Sequence, residues 1–78
     1  MFIDANELKE ILFERGYSAG TFDAEQQHTG TDFQITIRIQ VAQYMARYDA
    51  WSQGYLAGYD KRSSELSAST AAHGVAGE

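Results

Sequence analysis

The chain has no cysteine and no proline. Without cysteine there is no disulfide and no thiolate metal site, and the two histidines, His28 and His73, are too isolated to suggest a ligand set. No apolar run approaches the roughly 20 residues that span a bilayer. Met1-Phe2-Ile3-Asp4 has no basic stretch of the kind that opens a secretory signal. Basic residues are also scarce, six Lys and Arg against eleven Asp and Glu. These absences predict a reduced, soluble, cytoplasmic chain with no metal and no cofactor. At 78 residues it makes one domain with a marginal core, so oligomerisation is the one staple left to it.

Catalytic patterns are missing as well. There is no glycine-rich phosphate loop, no cysteine nucleophile and no serine in a nucleophile elbow. The reading is therefore a non-enzymatic protein.

Charge is unevenly placed. Asp4, Glu7, Glu10, Glu14, Asp23, Glu25 and Asp32 face only Lys9 and Arg15 in residues 1–32, which accounts for the whole net charge of −5. Residues 33–78 balance to neutrality. Phosphate binding needs clustered Lys and Arg, so the acidic half disfavours nucleic acid and suits a basic partner. The plainer alternative is that these acids keep a small protein soluble.

What the chain does have is an aromatic segment at helical spacing. Val41, Tyr44, Met45, Tyr48, Trp51, Tyr55, Leu56 and Tyr59 share an arc roughly 160° wide at about 100° per residue. This predicts a helix from about 42 to beyond 60, with Val41, Met45, Tyr48, Tyr55 and Leu56 in the core and Tyr44, Trp51 and Tyr59 at its edge. Gly54 and Gly58 lie inside it, each costing about 1 kcal/mol against alanine, which a close neighbour would justify. The five rings Tyr44, Tyr48, Trp51, Tyr55 and Tyr59 are candidates for self-association or partner binding, being residue types enriched at interfaces.

An earlier helix is expected over roughly 5–15. Asp4 is a suitable N-cap with Glu7 completing a capping box, Ile3 can staple to Leu8, and Leu8, Ile11 and Leu12 form the buried stripe. Arg15 and Gly16 read as its C-terminal end. Phe13 stands apart from the stripe near Glu10, either packed beneath the next segment or acting as an aromatic anchor among carboxylates. Residues 17–26 suggest an irregular strand. Phe33, Ile35, Ile37, Ile39 and Val41 alternate with polar residues, which predicts a strand and a hairpin with 17–26. No internal repeat is evident. The expected fold is α+β, an α-β-β-α domain over 1–66, with a disordered tail over 67–78.

The segment Trp51-x-x-Gly54-Tyr55-x-x-Gly58-Tyr59, in a short acidic cysteine-free chain, resembles the small accessory proteins of bacteriophages and prophages. That resemblance implies a protein that binds and blocks a larger host protein, inhibitors of CRISPR surveillance complexes included, in the host cytoplasm. The leading expectation is a homodimeric protein-binding module. Its partner site would be Glu7, Glu10, Glu14, Asp23 and Glu25 with Phe13, mimicking phosphate. The alternative is a DNA- or RNA-associated regulator using Arg38, Arg47, Lys61 and Arg62.

Overall fold

The computed structural model describes residues 3–76, with side chains through 68. Three helices make up the described chain: α1 (Ala5–Thr29), α2 (Phe33–Met45) and α3 (Ala50–Ala76). The expected hairpin is absent among the described residues, and the α+β reading is overturned. Gly77 and Glu78 of the expected tail lie outside the described residues, and so do the side chains of 69–76, His73 included.

α1 starts where its cap predicts, with the Asp4 carboxylate accepting the Asn6 N–H at 3.2 Å. It does not stop at Gly16. Gly16 and Gly20 both lie mid-helix and buried, and the reason is on the other side of them. A Cβ on Gly16 would overlap the Trp51 carbonyl oxygen and come within 2.9 Å of the Tyr55 nitrogen. One on Gly20 would overlap the Tyr55 carbonyl oxygen and come within 2.8 Å of the Tyr59 nitrogen. The relation is reciprocal: Gly54 presses on the Phe13 carbonyl and Gly58 on the Tyr17 carbonyl. Backbone therefore meets backbone, and the glycine hydrogen that stands in for Cβ points at a carbonyl of the facing helix. Such Cα–H···O contacts contribute about 0.5–1 kcal/mol each.

The pairing order shows that α1 and α3 run parallel, because moving from Gly16 to Gly20 moves the facing residue from Trp51 to Tyr55. It also exposes an internal repeat. Phe13-Glu14-Arg15-Gly16-Tyr17-Ser18-Ala19-Gly20 matches Trp51-Ser52-Gln53-Gly54-Tyr55-Leu56-Ala57-Gly58 at its aromatic, glycine, tyrosine and alanine positions. Each copy offers its carbonyls to the other's glycines, as a two-fold axis between the helices would require. Small-xxx-small pairs of this kind are best known from membrane helices. Here, no helix among the described residues is long and apolar enough to cross a membrane.

α2 returns the chain from the end of α1 to the start of α3. The segment expected as a strand is helical because alternation leaves a helix apolar on both sides. At about 100° per residue, Ile35, Ile39 and Ala42 fall on one face and Phe33, Ile37, Val41 and Tyr44 on the opposite one. Ile35 and Ala42 are buried. The β preference of branched side chains spans only about 1 kcal/mol and is easily overridden. The start of α2 is well specified: the Asp32 carboxylate accepts the Gln34 N–H at 2.8 Å, and the Thr36 hydroxyl donates to the Asp32 carbonyl at 3.3 Å. Gln27 closes the connection from α1, accepting the Asp32 N–H at 2.8 Å and donating to the Thr36 hydroxyl at 3.3 Å.

The aromatic segment is divided between two elements. α2 ends at Met45, and a turn over 46–49 leads to α3, where the Asp49 carboxylate accepts the Ser52 N–H at 2.7 Å. Gln53 Nε2 donates to the Ala46 carbonyl at 2.8 Å and braces the turn. Of the expected core residues, Tyr55 is fully buried, Met45 and Leu56 are half-buried, and Val41 and Tyr48 are exposed. Trp51 and Tyr59 lie at the edge, stacked on Tyr55 with centroids 5.3 and 6.4 Å away. The assembly is a narrow rod of 57 × 24 × 19 Å.

Candidate functional site

One charged cluster ties the three helices together. Asp23 on α1 is only 5% exposed. Arg38 of α2 reaches it with both arms of its guanidinium, Nε to Oδ2 at 2.8 Å and Nη2 to Oδ1 at 3.2 Å. The hydroxyl of Tyr55, on α3, donates to the same Oδ2. Burial would raise the Asp23 carboxyl, but the hydrogen bonds from Arg38 and Tyr55 and the Arg38 charge outweigh it and hold the group below its ordinary range. Burial and the bond to the Asp23 carboxylate push the Tyr55 phenol well up, and the bond to Asp23 raises Arg38. Each Asp23 oxygen already has a donor and Tyr55 has no exposed surface. The cluster is a clamp, with its acid, cation and phenol all committed to one another.

A second ion-paired group lies farther along. Arg62 of α3 meets Glu25 of α1 at 3.1 Å and Glu65 at 3.3 Å, and these pairs raise Arg62 above its ordinary value, the Glu65 bond first. Arg47 stacks over the Tyr44 ring, 5.8 Å from its centroid, while Lys61 is exposed. The four cations proposed for nucleic acid are thus spread over α2, the following turn and α3. Arg38 and Arg62 are each bound to carboxylates.

The acidic residues divide in the same way. Glu7, Glu10 and Glu14 are exposed on α1, whereas Asp23 and Glu25 are engaged by Arg38 and Arg62. The side of α1 turned away from α3 carries Glu7, Ile11, Glu14, Ser18 and Phe22 at three- and four-residue spacing. All five are exposed. Phe13 sits at the rim of the helix pair. With Glu14, Tyr17 and Ser18 it lines an open depression of about 520 Å³, its ring 6.4 Å from that of Tyr17. Leu8 and Ile11, expected in a buried stripe, are exposed because the contact with α3 runs through the glycine face instead. Phe22 was missed because 17–26 read as a strand, and extending α1 through Gly16 would have revealed it.

Tyr44 and Tyr48, with rings 5.9 Å apart, do not join the α3 ladder of Trp51, Tyr55 and Tyr59. They continue the exposed outer face of α2. His28 lies in the last turn of α1. It borders a small groove of about 120 Å³ shared with Ala24, Gln27, Tyr59, Ser63 and Leu66. Among the described residues no group of three or more His, Asp or Glu is placed to hold a metal ion.

Comparisons with protein-family models, curated proteins and solved structures return no match for this chain.

Proposed function

We propose that the chain is a non-enzymatic protein-binding module that docks its acidic α1 face on a basic surface of a larger protein. The observation that carries this reading is the composition of that face. Glu7 and Glu14 stand exposed beside Ile11, with Glu10 exposed at the flank and Phe22 about two turns farther along the same side. Carboxylates give steering and register, and apolar anchors give contact area to bury. Where the partner's basic surface normally holds nucleic acid, the three glutamates occupy the positions of phosphates and exclude it. Asp23 and Glu25 are committed to Arg38 and Arg62 and hold α1 to α2 and α3 instead.

The test is capture of the partner from source-cell lysate on immobilised chain, wild type beside a Glu7→Lys, Glu10→Lys, Glu14→Lys variant. All three positions are exposed, so the variant keeps its fold, which circular dichroism checks. Loss of the captured protein in the variant, with salt-sensitive release from wild type, is the expected result. Equal capture by both proteins sinks the proposal.

A further inference from the structure

We propose that the outer face of α2 is a self-association surface, covered in solution by α2 of a second copy running antiparallel. Phe33, Ile37, Val41 and Tyr44 fall within about 80° of one another on the helix, and Tyr48 in the following turn extends the row. Their exposure runs from 43% at Ile37 to 75% at Phe33. The spacing from Ile37 to Val41, Tyr44 and Tyr48 is four, three and four residues, the seam along which two helices interdigitate.

Area and charge both point to a second copy. At 150–250 Å² for a buried aromatic, the row exposes about 500 Å², so a symmetric pair covers about 1,000 Å², the lower bound of a biological interface and in the range of a concentration-dependent dimer. Residues 33–45 carry no acid and one base, Arg38, already held by Asp23. Centring the pair between Ile37 and Tyr44 sets each Ile37 against the other copy's Tyr44 and each Phe33 against Tyr48. Arg47 then lies level with Gln34 of the second copy, two positions from Asp32, which is itself level with Asp49, and Arg38 lies level with Gln43. A parallel pair would instead set Arg38 and Arg47 each beside its own twin. The antiparallel pair also closes by a two-fold axis, which leaves no open end for further addition. It uses a different face from the acidic side of α1, so the two proposals stand or fall separately.

The experiment is light scattering across the micromolar range on wild type and on the Val41→Glu, Tyr44→Glu double variant, with disulfide trapping of Val41→Cys and Phe33→Cys. The chain has no cysteine of its own, so trapping is unambiguous. The expected result is a wild-type mass that doubles with concentration, and a double variant that stays monomeric with unchanged helical dichroism. Val41→Cys, near the two-fold axis, is expected to trap a dimer while Phe33→Cys does not. Three results would each overturn the proposal: a monomer at all concentrations, a dimer that survives both glutamates, or Phe33→Cys trapping as readily as Val41→Cys.

Discussion

Replacing Gly20 by alanine separates this fold from any fold in which the glycine is a mere helix defect. In an ordinary helix interior the change stabilises by about 1 kcal/mol, since alanine is the better helix former. Here the new methyl would overlap the Tyr55 carbonyl oxygen and stand 2.8 Å from the Tyr59 nitrogen, both of them backbone atoms that no rotamer change can move. α3 must retreat by roughly 1 Å, which forfeits a quarter to a half of the dispersion energy along the contact. Overpacking of a close-packed site costs about 1–3 kcal/mol, occasionally more, and the Cα–H···O contacts go with it. Set against the propensity gain, a net loss of about 2 kcal/mol is expected. Urea unfolding followed by Trp51 fluorescence and circular dichroism measures it. Gly30→Ala is the control: its Cβ meets nothing within 4 Å and its backbone is extended, so the variant should match wild type or exceed it by a few tenths of a kcal/mol. A Gly20→Ala protein as stable as Gly30→Ala would refute the backbone contact.

Tyr55→Phe keeps the ring but deprives the buried Asp23 of one donor, and should cost about 1–2 kcal/mol in urea unfolding. Asp23 titrates lower folded than unfolded, so its contribution is present above the ordinary value of 3.8 and is lost as pH falls through the folded value. Acid titration should therefore show stability falling below about pH 4, and Asp23→Asn should flatten that limb. Tyr55 titrates higher folded than unfolded, so its contribution is complete below 10.0 and erodes at higher pH, a loss that Tyr55→Phe should remove from alkaline unfolding curves. Asp32→Ala removes the N-cap of α2 and should cost about 1 kcal/mol, read in the same urea series.

The parts of this fold that were legible in the sequence are those set by local chemistry. The Asp4 cap, the helical run from Trp51 to Tyr59 and a close neighbour at Gly54 and Gly58 all follow from short-range rules. What failed were signals with two physical meanings. A glycine after Arg15 serves equally as a helix terminus or as a seat for another backbone, and only its partner distinguishes the two. The partner, Gly54, lies far along the chain, but the matching order of aromatic, glycine, tyrosine, alanine and glycine was available for comparison. The alternation from Phe33 to Val41 fits a strand with one apolar face or a helix with two, and the exposed second face of α2 is what the simpler reading left out. Asp32 followed by Phe33 was the competing cap signal. The candidate binding surface was legible at Glu7, Glu10 and Glu14, while Ile11 was assigned to the core and Phe22 joins the surface only once α1 continues through Gly16 and Gly20.

The parallel pairing of α1 and α3 through reciprocal glycines decides which faces of α1 and α2 are left outward. Pulsed electron–electron spin distances test it directly, using cysteine pairs at Gln26 with Ser64 and at Glu10 with Ser64, all exposed positions in a chain otherwise free of cysteine. Parallel helices in the register of Gly20 beside Gly58 put Gln26 level with Ser64 and leave Glu10 about 24 Å away along the axis, at 1.5 Å per residue. A short first distance and a long second one are the predicted result. Similar distances, or the reverse order, would contradict the account.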